Sequence, residues 1–179
     1  MALGSQGRVC RSRDIRGERL RDIPGELRGC GVNNPVRVSS VSGVALNPPA
    51  VMDCDTAKAL NEWVDEGVKP TIGRLGGGIA ELRVVDDYSC RPRNNRPGAE
   101  ISEHGRGKAI DIASFNLRNG VRIPVEGGWN DRVQGRLLKQ MHREACGPFG
   151  TVLGPDADRY HQDHFHLDTA RHGNGNYCR

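Results

Sequence analysis

The chain has 179 residues, of which 36% are hydrophobic and only 4% aromatic, so we expect one domain with a lean core. Its 24 glycines and 10 prolines indicate many turns and argue against a long helical bundle. The net charge is +4, but basic residues do not alternate with aromatic ones, so no nucleic-acid partner is expected, and no apolar run is long enough for a membrane span.

Six cysteines are scattered along the chain, and no C-x-x-C pair occurs among them. This spacing argues against a cysteine-ligated zinc site, whereas an even number of scattered cysteines is typical of disulfides formed in an oxidising compartment. We therefore predict a disulfide-stapled protein that is periplasmic or secreted. The first residues show no signal-peptide pattern, so an exported protein would here be in its mature form or would use another route.

Residues 1–29 are polar and rich in arginine, and we interpret them as an extended or partly ordered arm with Cys10 as an anchor. Residues 30–179 are the predicted folded domain. A helix is predicted over 54–66. Asp53 or Asp55 could cap its start, and Gly67 could end it.

Residues 108–125 predict a β-hairpin, because apolar and polar residues alternate before and after Asn119-Gly120, a strong signal for a type I′ turn. A second helix is predicted over 131–146, with its apolar face at Val133, Leu137, Met141 and Ala145. Further strands are predicted over 81–88, 151–153 and 161–168. These elements predict an α+β domain in which a small antiparallel sheet carries a metal site and is flanked by two or more helices.

Two histidine-containing segments carry the candidate chemistry. The first contains His104 on a turn and Asp111 on the following strand, and the second contains His164 and His166 two residues apart, on one face of a strand. If the two strands pair, His104, Asp111 and one of the later histidines could converge on a metal ion. Catalytic zinc takes three protein ligands and lowers the pKa of a bound water to about 7, which makes that water a nucleophile.

The same residues resemble known families. The first segment matches S-x-H-x-x-G-x-A-x-D at Ser102, His104, Gly107, Ala109 and Asp111. This pattern resembles the LAS metallopeptidases of bacterial cell walls. The second segment reads H-x-x-H-x-H at His161, His164 and His166. It is similar to the murein endopeptidase branch. From Cys30 onward the chain also resembles the bacterial extensin-like C-terminal family, through Cys30-Gly31-Val32, Tyr88–Arg91, Ala145–Phe149, Leu153–Pro155, Asp163–Asp168 and Tyr177-Cys178.

The resemblance implies a zinc ion with three ligands, His104, Asp111 and His166. It implies that His164 is the catalytic base or transition-state partner, with His161 in support. It also implies that Arg91 binds substrate or stabilises the oxyanion. The neighbouring Cys90 could fix the loop of Arg91 through a disulfide.

Several alternatives stay open. Asp163 stands where the carboxypeptidase branch has a glutamate base, but on a regular strand it would face away from His166, so His164 is ranked above it. In another register His164 is the ligand and His161 the base. Asp168 is the expected hydrogen-bond partner of a metal-bound histidine. Manganese or iron could replace zinc, although histidine-rich ligation suits zinc.

The predicted function is zinc-dependent hydrolysis of peptide bonds in peptidoglycan stem peptides or cross-links. One alternative is a non-catalytic zinc-containing module that binds peptidoglycan or has a structural role. Another is a secreted effector or structural wall protein whose histidines serve folding only. His142 and His172 are predicted surface residues, Trp129 a core residue and Tyr160 a residue of the substrate groove.

Overall fold

A computed structural model describes residues 7–179, and a ten-stranded sheet is the largest element within them. The strands are β1 (Gly7–Arg8), β2 (Ile15–Arg19), β3 (Ile23–Pro24), β4 (Gly31–Val32), β5 (Val36–Val41), β6 (Val44–Met52), β7 (Ile79–Asp86), β8 (Ala109–Leu117), β9 (Arg122–Pro124), β10 (Thr151–Leu153), β11 (Phe165–Asp168) and β12 (Tyr177–Cys178). The helices are α1 (Cys54–Trp63), α2 (Lys69–Ile72) and α3 (Gln134–Ala145), and short 3-10 turns span Leu75–Gly77, Arg93–Asn95 and Glu103–Arg106.

The sheet is mixed. Its order is β1-β2-β5-β6-β7-β8-β11-β10-β12, β9 pairs with β8, and β3 and β4 form a separate two-stranded sheet. β6–β7 and β10–β12 are parallel, and the other pairs are antiparallel. The parallel β6–β7 pair needs a crossover, which residues 53–78 supply through α1 and α2.

The prediction of a disulfide-stapled α+β domain with two or more helices is confirmed as a mixed, sheet-rich fold with helices and three disulfides. The prediction of a small antiparallel sheet is wrong, because ten strands form one mixed sheet. The sheet is larger because short, polar strands extend it at both ends. β2, for example, reads Ile-Arg-Gly-Glu-Arg and pairs with β5, yet it lacks the run of β-branched residues that marks a strand in a sequence.

Part of the predicted arm, residues 1–29, is folded onto this sheet. From residue 7 onward it forms β1 and β2 at one edge, with Ile15 fully buried, and a disulfide joins Cys10 to Cys54 at the start of α1. Residues 1–6 lie outside the described residues. The predicted domain boundary at residue 30 stays a prediction.

Helix α1 begins where the sequence indicated. The carboxylate of Asp53 accepts a hydrogen bond of 2.8 Å from the backbone N–H of Thr56, which is a standard N-cap. The prediction that Gly67 ends the helix is wrong, because the chain continues through a π turn over Val64–Val68 into α2. Gly67 instead permits close packing, since an added Cβ there would lie 2.7 Å from the Cβ of Glu144 on α3.

Helix α3 begins at Gln134, three residues later than predicted, after Asp131 has accepted hydrogen bonds from the N–H groups of Val133 and Gln134. The predicted apolar face is therefore partly wrong, because Val133 precedes the helix and is 67% exposed. Leu138, Met141 and Ala145 form the buried apolar face.

Trp63 joins α1, α3 and the sheet. Its indole N–H donates a 2.8 Å hydrogen bond to the carbonyl of Met141, and its ring makes edge contacts with Phe115 and Phe149, with centroids 5.9 and 6.3 Å away. A buried tryptophan needs a partner for its N–H as well as apolar neighbours. Both helices are therefore fixed against one face of the sheet.

The predicted hairpin is confirmed, but its turn differs from the prediction. Gly120 has φ 87° and its N–H bonds to the carbonyl of Leu117, while Leu117 N–H bonds to the carbonyl of Val121. A type I′ turn would need positive φ at Asn119 as well. The loop is instead a three-residue connection with a glycine in the left-handed region, another common hairpin geometry.

The predicted disulfides are confirmed. All six cysteines are paired, as Cys10–Cys54, Cys30–Cys90 and Cys146–Cys178. Such covalent constraints are typical of proteins that fold in oxidising compartments. Across residues 7–179, no helix has both the length and the hydropathy required to cross a bilayer.

Replacing Asp53 by alanine should lower the free energy of unfolding by ~1 kcal/mol, because the N–H of Thr56 then loses its capping acceptor. Urea denaturation of the oxidised protein measures this loss. Asp55→Ala is the matched control, since Asp55 is exposed in the first turn and should contribute only a few tenths. An equal effect of the two substitutions would contradict the assignment of the cap.

Candidate functional site

Three neighbouring strands place polar side chains side by side. The register pairs Asp86 of β7 with Asp111 of β8, and Asp111 with His166 of β11. Directly opposed residues on adjacent strands project from the same face of a sheet. The alternate residues Phe165 and Leu167 are fully buried in the core, so His166 projects from the opposite face, beside Asp111.

A short 3-10 turn over Glu103–Arg106 places His104 next to this row. The hydroxyl of Ser102 accepts a hydrogen bond from the N–H of His104, and Gly107 ends the turn with φ 67°. An added Cβ at Gly107 would lie 2.7 Å from a methyl group of Val32, so only glycine fits. The serine and glycine of the sequence motif thus set the position of the histidine.

Strands β8 and β11 pair, as the predicted convergence requires, and the side chains of His104, Asp111 and His166 come together. The distances are 3.1 Å from His104 Nε2 to Asp111 Oδ1, 3.0 Å from His166 Nδ1 to Asp111 Oδ1, and 3.2 Å between the two nitrogens. Of the residues described, these three form the group whose potential ligand atoms lie within 4.8 Å of one another. The cluster could therefore hold a metal ion.

The outer nitrogen of each histidine is held by an acceptor. His104 Nδ1 lies 2.6 Å from the carbonyl oxygen of Asp87, and His166 Nε2 lies 2.8 Å from a carboxylate oxygen of Asp168. A carbonyl oxygen and a carboxylate oxygen accept hydrogen bonds, so each outer nitrogen donates its N–H. In the neutral imidazoles the inner nitrogens then present lone pairs, which is the tautomer a metal ligand needs.

The charges of the cluster favour a cation. Burial disfavours a proton on His166, but its hydrogen bonds to Asp111 and Asp168 outweigh burial and raise its pKa to about 9. Burial likewise opposes the charge of Asp111, yet His104 and His166 hold the pKa of its carboxyl well below the usual range. A proton and a metal ion therefore compete for the same place.

The donor set and its spacing agree with a tetrahedral metal. Ligand atoms about 2.0–2.1 Å from a tetrahedral zinc lie about 3.3–3.4 Å apart. The three observed separations, between 3.0 and 3.2 Å, are close to this. Two imidazoles and a carboxylate suit zinc and also other first-row divalent metals.

His164 lies beside the cluster. Its Nε2 is 3.3 Å from Asp111 Oδ2, while its Nδ1 is 2.7 Å from Asp163, whose side chain is 66% exposed. Asp163 therefore contacts His164 and not the inner nitrogens of the cluster. The predicted strand over 161–168 is wrong in its first half, because β11 begins at Phe165 and both His161 and His164 lie in the preceding turn.

His161 is held by an acid that the sequence analysis missed. Its Nδ1 is 2.7 Å from Asp158, and its ring centroid lies 5.2 Å from that of His164 and 5.7 Å from that of His166. Burial lowers the pKa of His161, although Asp158 opposes this shift. The signal in the sequence was an acid three residues before the histidine, in a loop.

Arg91 lies at the edge of the same region and is paired with another missed residue. Its guanidinium is 2.7 Å from Asp86, which in turn lies 3.8 Å from His104 Nδ1. The disulfide Cys30–Cys90 anchors the loop, as the sequence analysis suggested. Asp86 could have been found only from the strand register, since nothing in its local sequence distinguishes it.

These side chains line a cleft of about 600 Å³. Tyr160 also lines it, as predicted, and so does His172, whose Nε2 is 2.8 Å from the hydroxyl of Thr151. Trp129 is a core residue, as predicted. The prediction that His142 lies on the surface is wrong, because it is 8% exposed and its Nε2 lies 3.0 Å from a main-chain oxygen of Arg179.

The fold and site define a disulfide-bonded, mixed α/β domain with a candidate metal cluster in a cleft. A model of the family described as "Extensin-like protein C-terminus" matches residues 8–179, and the chain belongs to this family. Comparisons with curated proteins and with solved structures found no match. The roles assigned to individual residues of the cleft stay predictions.

Metal affinity should increase with pH between about 6 and 8. The pKa of His166 is about 9 in the metal-free cluster, so below that pH a metal ion must displace its proton. For one displaced proton, the apparent association constant rises about tenfold per pH unit. Competition with a chromophoric chelator at several pH values measures it, and an affinity independent of pH would contradict this account.

Asp168→Asn should weaken metal binding by about 10- to 100-fold, because the amide is a poorer acceptor for the outer N–H of His166. The same chelator competition provides the measurement. Asp158→Asn is the matched control, since Asp158 contacts His161 and not the cluster. Equal losses in the two variants would argue against a metal held by His166.

Proposed function

We propose that the protein is a zinc-dependent hydrolase that cuts peptide bonds in peptidoglycan stem peptides or cross-links, related in its site to the LAS peptidases. The observation that carries the proposal is the convergence of His104 Nε2, Asp111 Oδ1 and His166 Nδ1, with both outer nitrogens held by acceptors. A catalytic zinc site needs three such ligands and access for a water molecule.

The surroundings of the cluster support a catalytic role over a structural one. A structural zinc site is closed by four protein ligands, whereas here three ligand groups meet at the wall of a cleft. Two further histidines, His164 and His161, stand next to them although neither belongs to the convergent group. A purely structural site would not require these additional titratable groups.

Zinc in this site would polarise a carbonyl group and lower the pKa of a water molecule to about 7. In the proposal His164 is the base that takes the proton of the attacking water. Its Nδ1 contact with Asp163 orients the ring, so that Nε2 faces Asp111 and the cluster. Asp163 then acts by holding His164, which favours the ranking of His164 above Asp163.

His161 supports His164 in this scheme. Its ring packs against the rings of both His164 and His166, and Asp158 accepts a hydrogen bond from its Nδ1. Burial lowers its pKa, which keeps it neutral at neutral pH and avoids a second positive charge beside the metal. The alternative register, with His164 as ligand and His161 as base, has less support because His164 contacts the other oxygen of Asp111.

Arg91 is proposed to contribute positive charge at the edge of the cleft, where the developing oxyanion or the substrate would be bound. Asp86 neutralises part of that charge at 2.7 Å but leaves other N–H donors of the guanidinium for a ligand. The three disulfides support a periplasmic or secreted location, where peptidoglycan is accessible.

A non-catalytic module that binds zinc and peptidoglycan is the second candidate. The pairing of Arg91 with Asp86 favours it, because an oxyanion-stabilising group works best when its charge is not already balanced. Measured turnover separates the two candidates.

Purified wild type should contain about one zinc per chain and should release peptide fragments from purified peptidoglycan. Elemental analysis and mass spectrometry of the soluble products provide the two readouts. His166→Ala should lose both metal and activity, whereas His164→Ala should keep the metal and lose activity by at least about 100-fold.

His172→Ala is the matched control, because His172 lines the cleft outside the cluster and should keep its metal. Stoichiometric zinc with no released peptide from any peptidoglycan type would favour the binding module. A wild type without metal would refute the site itself.

A further inference from the structure

The cleft continues from the histidine cluster across the sheet to the edge strand β12. In the strand register, Asp168 of β11 is opposite Thr151 of β10, and Thr151 is opposite Tyr177 of β12. Two strand spacings, or about 10 Å, therefore separate Tyr177 from Asp168, whose carboxylate holds His166. All four residues line the same cleft.

The side chain of Tyr177 projects from the cleft face of the sheet. Its neighbour Cys178 is bonded to Cys146 and packs against the core, so the alternation along a strand turns Tyr177 to the opposite face. The tyrosine ring contacts His172, with centroids 6.3 Å apart, and His172 Nε2 lies 2.8 Å from the hydroxyl of Thr151. The disulfide therefore anchors the strand, and the imidazole marks the side of the sheet on which the tyrosine ring lies.

Tyr177 is exposed although aromatic side chains are scarce in this chain. All three phenylalanines and both tryptophans are buried. Tyr177 is 44% exposed, even though the guanidinium of Arg179 lies over its ring, 5.1 Å from the centroid. The ring therefore offers apolar surface to a ligand of the cleft, with a guanidinium and the imidazole of His172 beside it as hydrogen-bonding groups.

These groups suit a sugar ring better than an apolar side chain or a lone anion. A pyranose has an apolar C–H face that can pack on an aromatic ring, and a rim of hydroxyl and amide groups that needs donors and acceptors. Tyr177 supplies the first, and Arg179 and His172 supply the second. An apolar ligand would leave these polar groups unpaired, and an anion alone would not use the ring.

We propose that Tyr177, His172 and Arg179 form a saccharide subsite, which binds a hexosamine ring of the substrate while the attached peptide reaches the histidine cluster. This inference rests on the proposed function, because it names a further part of the same substrate. About three extended residues span the distance between Tyr177 and Asp168. A peptide bound through its sugar can therefore place one of its bonds at the cluster. The subsite selects peptide that is still attached to glycan over free peptide.

The test uses isothermal titration calorimetry with two ligands, a stem tetrapeptide and the same tetrapeptide carried on its N-acetylated disaccharide. The His164→Ala variant, supplied with zinc, serves as the parent, so that cleavage does not disturb the binding heats. The parent should bind the disaccharide form at least about fivefold more tightly, because the ring contact adds to the peptide contacts. Tyr177→Ala in this parent should remove that preference and leave the affinity for the free tetrapeptide unchanged.

Two further variants separate loss of the ring from loss of structure. Tyr177→Phe keeps the ring and should keep the preference. Leu75→Ala is the matched control, since Leu75 is 50% exposed and does not line the cleft, and it should also keep the preference. Thermal unfolding of each variant checks that β12 stays in place under its disulfide.

The inference fails if the parent shows no preference for the disaccharide form, if neither ligand binds, if Tyr177→Ala keeps the preference or if Tyr177→Phe loses it. Failure of the proposed function is measured separately, as the absence of peptide release by wild type. A preference in binding without any release would overturn the hydrolase and leave the saccharide subsite. Release without a preference in binding would overturn the subsite alone.

Discussion

The pairing of β8 with β11 at Asp111 and His166 is the contact on which the candidate site depends. It places a carboxylate and an imidazole side by side on one face of the sheet, while Ile110, Ile112 and Leu167 fill the core on the other. Because side chains alternate along a strand, a register shift by one residue would turn His166 inward and Leu167 outward. The apolar core therefore fixes the geometry of the polar cluster.

Burial of this cluster has a cost that its neighbours offset. A buried carboxylate is unfavourable unless it is hydrogen-bonded and compensated by positive charge. The inner nitrogens of His104 and His166 lie 3.1 and 3.0 Å from Asp111 Oδ1. Asp87 and Asp168 accept from the outer nitrogens, and a proton or a metal ion between the inner atoms completes the balance. The pKa of His166 is raised for the same reason, because Asp111 and Asp168 stabilise a positive charge at this position.

Local sequence signals predicted the residues of the site better than the strand register and loops that position them. The spacing of His104 and Asp111 predicted their convergence with a later histidine on the condition that the two strands pair, and the resemblance to the LAS peptidases indicated which histidine. Asp86 and Asp158 were missed because their roles follow from strand register and loop folding, which join residues distant in sequence or hidden in a polar stretch.

The sheet was underestimated for a similar physical reason. The strands near the two ends of the sheet, such as β2 and β12, are short and polar, so their pairing depends on neighbours that only the tertiary structure provides. At Gly67 a local signal was misinterpreted. The glycine was predicted to end a helix, but it is a point of close contact with α3. Local patterns specify turns and caps well, and specify long-range packing poorly.

The most direct test of the central claim is a crystal structure of the zinc-loaded protein with anomalous diffraction measured at the zinc edge. The account predicts a single strong anomalous peak within about 2.0–2.2 Å of His104 Nε2, Asp111 Oδ1 and His166 Nδ1. A peak at other residues, or none at this cluster in fully loaded protein, would contradict it.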